Sequence, residues 1–260
     1  MTLIETEVTR GVLTITLADE ERRNALSRDL TREFVDAIDA GEHDDSVRVI
    51  VITNKGNTFC AGANLAERSD ANSDNAPGTE LNPLALFGRF RHSPKPYVGR
   101  IAGHCVAGGM GLVAGLDIAI AAHSAKFGFT EVRIGVAPAM ISVVCLPKMS
   151  RAKAQSAFLR GNRFSAAEAV EMGLIAGAVP DELLDAAVDE VVSDLLAGGP
   201  HAIAAAKQLS VVVPTLDEEE AFAWTTDLSG RLFRSEEARE GMSAFLEKRP
   251  ASWVPRPISS

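Results

Sequence analysis

The chain has 260 residues, 46% hydrophobic, 23% charged and 5% aromatic, enough for one large domain, or a domain with an appended subdomain, to bury a core. Its net charge is −9 with no basic tract, which argues against nucleic acid as a partner. Apolar runs are short and interrupted by Gly, Pro and charge, so no membrane span is expected, and the opening MTLIETEVTRGVLTITL lacks a basic-then-apolar leader pattern. Cys60, Cys105 and Cys145 are odd in number and lack metal-type spacing; they read as reduced thiols of a cytoplasmic protein.

In chain order, residues 2–8 and 12–17 alternate apolar and polar side chains and predict two strands joined by a turn at Arg10-Gly11. Ser27 is placed to cap a helix over LSRDLTREFVDAIDA, with Leu30, Phe34 and Ile38 on one face. VRVIVIT (47–53) is a nearly continuous β-branched run, as expected for a strand buried on both faces. The polar stretch SDANSDNAPGTELNP (69–83) predicts a mobile surface loop. A short helix is expected near 84–92, then a strand over YVGRIA that ends at a glycine run; DIAIAA (117–122) and KFGF (126–129) are further strand candidates. From Pro138 onward, Ala-rich segments of helical period follow at 149–160, 165–172, 181–197, 200–212, 217–233 and 236–247. The chain therefore reads as α/β, strand-rich first and almost wholly helical last, with a core over 1–199, a helical subdomain over 200–260 and a loose WVPRPISS tail.

Two segments share a design. FCAGANL (59–65) and VAGGMG (106–111) each end a β run with small residues and then enter a helix, and the second opens VAGGMGLVAGLD, whose four glycines work against regular structure. A helix start leaves backbone N–H groups unpaired and carries partial positive charge. Two such groups converging on one point would stabilise an oxyanion, and small residues would let a ligand reach them. Close packing of helix on sheet is the other use of the same residues. A phosphate loop is not indicated, because GxxxxGK[ST] is absent and the glycine spacing misses GxGxxG.

FCAGANL, VAGGMGLVAGLDIAIA, AKFGFTEVRIGVAP and the terminal EGMSAFLEKR, with RNAL at 23–26 and AAEAVEMGLIAGAV at 166–179, resemble the crotonase (enoyl-CoA hydratase/isomerase) superfamily over nearly the whole chain. The resemblance implies a spiral of ββα units with C-terminal helices that build trimers or dimers of trimers. It also implies an acyl-CoA thioester substrate, with CoA part of that substrate and no separate cofactor or metal. Matched residue by residue, the two oxyanion N–H groups belong to Ala63 and Gly108. Glu131 falls where the family's hydratases carry a catalytic glutamate; read bare, it would be a solvated surface group. Its role would be general acid/base at the α-carbon, which needs a pKa raised by apolar surroundings.

One departure bears on the reaction. Two-glutamate hydratases carry their second glutamate where this chain has Gly111, and the dehalogenases' nucleophilic aspartate aligns with Ala139. Space left at Gly111 would admit a bulky acyl group, or a water held by a backbone donor such as Ala139 N–H. The resemblance further assigns Arg23, Ala25, Ala61, Asn64 and Leu65 to CoA; Arg22 and Arg23 are candidates to meet its phosphates, although adjacent surface arginines are more often simply solvated. It adds Val106 and Thr130 to the substrate-binding residues, and Phe245 and Lys248 to the CoA site of a neighbouring subunit. His104 and Cys105 are adjacent on one strand and face apart, so they form no dyad. Cys60 reads as a small buried hydrophobe and Asp117 as a residue that ends a helix. The function expected is enoyl-CoA hydration; enoyl-CoA isomerisation and a non-catalytic acyl-CoA-binding trimer are the alternatives, and neither nucleic acid nor membrane is a partner.

Overall fold

The computed structural model describes residues 2–69 and 84–255. The expected loop over 69–83 lies, from residue 70 onward, outside them, as does the end of the tail. Strands β1 (Ile4–Thr9) and β2 (Val12–Leu17) form an antiparallel hairpin, and the turn places Arg10 at φ 51° and Gly11 at φ 82°. That pair of left-handed residues matches a type I′ turn, whose twist suits a hairpin. Helix α1 (Arg28–His43) is capped by Ser27, whose side chain accepts the Leu30 N–H at 3.2 Å, and it buries Leu30, Phe34 and Ile38.

Every residue of β3 (Val49–Asn54) is buried. Its side chains alternate between two cores: Ile50 and Ile52 pack with α1 on one face, while Val49 and Val51 pack on the other against Val188 and Val192 of α8 (Leu184–Ala197). Four consecutive β-branched apolar residues, Val49 to Ile52, are what a strand between two layers requires.

The chain then repeats one pattern. A strand in a six-stranded sheet is followed by a three-residue strand in a four-stranded sheet and then by a helix or helical turn. The passes are β3, β4 (Thr58–Cys60) and α2 (Leu65–Ser69); then, after a π-turn at Leu84–Gly88 and α3 (Arg89–His92), β5 (Tyr97–Ile101), β6 (His104–Val106) and α4 (Gly108–Gly115). The third is β7 (Ile118–Ala122), β8 (Lys126–Gly128) and a 3-10 turn at Thr130–Ile134. β2, β3, β5 and β7 pair in parallel, and so do β4, β6 and β8, which makes the ββα spiral.

Three sequence expectations change. The strand expected to run into the glycines is two strands in two sheets, and the glycine run is itself helix α4. Its glycines serve close packing: a Cβ on Gly109 would stand 2.7 Å from the Cys60 carbonyl oxygen, and one on Gly115 would stand 2.7 Å from the Phe90 ring. Nor is the chain after Pro138 almost wholly helical. After α5 (Ala139–Cys145) and α6 (Arg151–Arg160), β9 (Arg163–Ser165) pairs antiparallel with β8; α7 (Ala166–Glu171) follows, and β10 (Gly177–Val179) then pairs parallel with β7. The chain continues through α8 to α9 (Pro200–Val212), α10 (Glu218–Phe233) and α11 (Glu236–Leu246), as the helical periods predict. Among the described residues no helix is long and apolar enough to cross a membrane.

Candidate active site

Because β4, β6 and β8 are parallel neighbours, their C-terminal ends lie along one edge of the small sheet. Such edges are where ligands sit in parallel sheets. After β4, Gly62 adopts φ 86° and its carbonyl accepts the Leu26 N–H at 2.7 Å, while Ala61 N–H donates to the Arg23 carbonyl at 3.1 Å. Ala63 forms a lone parallel bridge with Leu26, in which the bonds run to its neighbours. After β6, Ala107 sits at φ 49°, ψ −126°, a region L-residues rarely occupy, held by its N–H on the Gly128 carbonyl at 2.9 Å. Gly108 is then the first residue of α4, with its N–H unused by the helix and at the positive end of its dipole.

The two corners interlock. A Cβ on Gly62 would stand 2.9 Å from Gly108 N, and one on Gly108 would stand 3.5 Å from Ala63 N. Among the described residues neither the Ala63 nor the Gly108 N–H donates to another group. Cys60 helps to set the first corner. Its buried sulfur accepts the Gly62 N–H at 3.4 Å, and burial pushes its thiol up to about 12. The sequence shows it only as a small hydrophobe.

Glu131 follows β8 within the 3-10 turn, at the same edge, with Thr130 beside it half-buried. The glutamate is half-buried; its Oε2 is shielded from solvent and has no hydrogen-bond partner among the described residues. Burial raises its pKa, against a smaller opposing pull from its own backbone N–H. The carboxylate field reaches Cys145 of α5, whose sulfur donates to the Met110 carbonyl of α4.

Three sequence expectations are corrected here. Gly111 leaves no open space: a Cβ there would stand 2.5 Å from Ile141 Cγ2 and 3.0 Å from Phe87 Cε1. Both side chains are buried and apolar. Nor is the Ala139 N–H free to hold water, because it donates to the Ala137 carbonyl at 2.8 Å. Asp117 does not end a helix either; α4 ends at Gly115 with Leu116 as its C-cap, while Asp117 accepts the Tyr97 N–H and pairs with Lys207 Nζ, each at 2.7 Å.

The remaining candidates divide. Arg23 (φ 53°) and Asn24 (φ 52°) form a left-handed corner that leaves the Arg23 side chain exposed and Ala25 buried. Asn24, not singled out in the sequence, ties that corner to β4 by donating to the Thr58 carbonyl at 2.7 Å. Ala61 and Val106 are half-buried beside the two corners, and Leu65 is exposed. Asn64 accepts the Ala66 N–H and donates to Glu67, so its side chain serves the start of α2. Arg22 is exposed and reaches only Asp19, at 3.6 Å. Phe245, 83% exposed, lies near the end of α11, and Lys248, also exposed, lies two residues beyond it. His104 accepts the Lys126 N–H while Cys105 is fully buried, so the two do face apart.

A family model described as enoyl-CoA hydratase/isomerase matches residues 7–256. The chain is 33% identical to enoyl-CoA hydratase EchA19 of Mycobacterium tuberculosis, over 94% of this chain and 93% of the relative. It is also 33% identical to the 1,2-epoxyphenylacetyl-CoA isomerase of Escherichia coli, over 96% of this chain and 97% of the relative. The crystal structure of an enoyl-CoA hydratase of Mycobacterium smegmatis superposes with a TM-score of 0.90 at 29% identity, covering 97% of this chain and 99% of that one. A hydratase and an isomerase at equal identity leave the reaction undivided, but the match spans the chain in sequence and in fold. The chain belongs to the enoyl-CoA hydratase/isomerase family, within the crotonase superfamily.

Proposed function

We propose that the protein is an enoyl-CoA hydratase that adds water across the 2,3 double bond of a 2-enoyl-CoA thioester. One observation carries the reading: among the described residues three neighbouring parallel strands lead into two unused N–H groups, of Ala63 and Gly108, and a carboxylate, of Glu131, whose buried Oε2 has no partner, all at the same edge. Adding to C3 of an enoyl thioester puts negative charge on the thioester oxygen. A pair of fixed donors is worth roughly 3–4 kcal/mol there. Ionised Glu131 takes a proton from water as the hydroxyl bonds to C3, then returns a proton to C2 as the enolate collapses. The step is balanced by one water and requires no added cofactor. With no second carboxylate at Gly111, Glu131 must hold the water itself, and its half-exposed position beside the exposed residues 132–137 leaves a route for solvent.

The apolar wall of Ile141 and Phe87 at Gly111 favours a second reading, isomerisation of a 3-enoyl thioester, in which Glu131 moves a proton between C2 and C4 without water. The substrate-binding assignments of Arg23, Ala25, Ala61, Asn64, Leu65, Val106, Gly111, Thr130 and Ala139 belong to the same proposal. So does a cytoplasmic homotrimer or dimer of trimers, built by the helices of 200–260 on a core of 1–199. Exposed Phe222, Phe233 and Leu246 on α10 and α11 support that assembly, which would bring Phe245 and Lys248 to a neighbour's CoA site. The experiment offers 2-enoyl-CoA and 3-enoyl-CoA thioesters in separate absorbance assays, with Glu131→Gln as control. Water addition to the 2-enoyl substrate supports hydration. Conversion of the 3-enoyl substrate with no water addition moves the assignment to isomerase, and activity that survives Glu131→Gln removes both.

A further inference from the structure

A pocket of about 380 Å³ lies at the C-terminal end of α4, between α5 and α9, away from the edge that carries Glu131. Its walls are largely apolar, with Phe87, Val144 and Ile203 among them, yet it also holds four charged side chains: Arg91, Asp117, Lys148 and Lys207. A volume of this order accommodates a small organic molecule.

The polar groups are not equally occupied. Lys207, 8% exposed, donates to Asp117 at 2.7 Å and to the Lys95 carbonyl at 2.9 Å, and its Nζ lies 5.2 Å from the centre of the Tyr97 ring. Asp117 also accepts the Tyr97 N–H, so this pair is complete within the protein. Among the described residues Lys148 has a single hydrogen-bond partner, the carbonyl of Leu116, the C-cap of α4, and an ammonium has three donors. Burial lowers its pKa, as expected of a cation withdrawn from water with too little to hold it. Arg91, exposed on α3, makes neither an ion pair nor a hydrogen bond among the described residues. Three cations thus face one carboxylate that is already engaged. The negative end of the α4 dipole, about half a charge, offsets only part of that excess.

We propose that this pocket binds a carboxylate carried on an aliphatic chain, with the carboxylate on Lys148 and Arg91 and the chain against Phe87, Val144 and Ile203. The carboxylate can come from two sources. One is the far end of the acyl group of the thioester. The Phe87 ring lines the pocket and abuts Gly111, and the eight residues from Gly108 to Gly115 span only about 10 Å of helix. That source rests on the function proposed above. The other is a free fatty acid, which does not.

The test titrates octanoate, octanedioate and uncharged octanamide into the full-length protein by calorimetry, for the parent, Lys148→Met and Arg91→Leu. In parallel, kcat/KM is compared for 2-enoyl-CoA thioesters of equal length that end in a methyl group or a carboxylate. Acid binding that weakens tenfold or more in the variants, with octanamide binding unmoved, supports the pocket. A carboxylate preference in turnover that falls with it assigns the acyl end as source; no such preference assigns the free acid. No binding of either acid at millimolar concentration, or acid binding unchanged in both variants, overturns the proposal. If no enoyl thioester turns over, the hydratase reading fails while the titration still decides the pocket. Should Lys148→Met not fold, Arg91→Leu, on an exposed residue, carries the comparison.

Discussion

Ile141 stands where a side chain on Gly111 would have to go, its Cγ2 only 2.5 Å from the position of a Cβ there. The position that the family resemblance matches to a second glutamate is therefore filled from another helix. Gly111→Glu alone should lower stability by about 1–3 kcal/mol, because it overpacks a buried site. Combining it with Ile141→Ala opens the space, so the two changes should couple favourably, by about 1 kcal/mol or more, in a double-mutant cycle. Urea unfolding of the four proteins measures this; strictly additive effects would show that Ile141 is not what excludes the side chain.

Glu131 combines partial burial with an oxygen that has no partner, and burial raises its pKa. As the base, it must be ionised, so kcat/KM should fall on the acid side with an inflection above the ordinary glutamate value. Glu131→Gln should abolish that limb and cut kcat by roughly a hundredfold or more. Stability should move the other way. An acid whose folded pKa is raised loses stability as pH climbs from its unfolded value through its folded value. Glu131→Gln should therefore unfold at a higher temperature than the parent above that window and match it below. A pH-independent difference in melting temperature would contradict this assignment.

The hairpin, α1 and β3 are legible because each carries a periodic pattern or a cap long enough to read: alternation in Leu13, Ile15 and Leu17, Ser27 before a helical stripe, and an unbroken apolar run. The small sheet is legible only in part: KFGF marks β8, whereas β4 and β6, of three residues each, are too short to show a period and are defined by pairing with their neighbours. Ala63 and Gly108 stand out as small residues before helices, but Glu131 is visible only through resemblance, since one carboxylate after a short strand has no local signature. The filling of Gly111 by Ile141 and the salt bridge from Asp117 to Lys207 join residues remote in sequence. Each side chain looks ordinary until the fold brings its partner.

Ala107, just before the Gly108 donor, holds a backbone conformation that suits glycine, at φ 49° and ψ −126°. Such strain costs about 1–3 kcal/mol, and glycine's extra freedom in the unfolded chain costs about 0.5–1 kcal/mol. Ala107→Gly should thus stabilise the protein by about 1 kcal/mol, whereas Ala107→Val, β-branched, should destabilise it. Chemical denaturation compares the three. A glycine variant clearly less stable than the parent would mean that the Ala107 methyl, packed toward Gly62, outweighs the strain.

Lys207 and Asp117 form a buried pair that fastens α9 to the start of β7. Burial is the largest influence on both, raising the Asp117 pKa and lowering that of Lys207, and their mutual attraction works against it. Lys207→Met removes the attraction and keeps the burial. Asp117 then retains the Tyr97 N–H and the weaker field of Lys148, and the loss should be about 3–5 kcal/mol, as for a buried pair broken from one side. The sign of the pH dependence follows. With Lys207 gone the folded Asp117 pKa rises further, so the variant keeps its stability below the ordinary aspartate value and loses it as pH climbs through the new one. The deficit relative to the parent should accordingly be smaller at pH 5 than at pH 8. Asp117→Asn added to Lys207→Met replaces the stranded charge with a neutral amide, and should recover part of the loss and flatten the pH response. Guanidinium melts at both pH values decide it: a deficit in Lys207→Met that is the same at each, and not relieved by Asp117→Asn, would place the cost in lost packing of the lysine stem over Tyr97 instead.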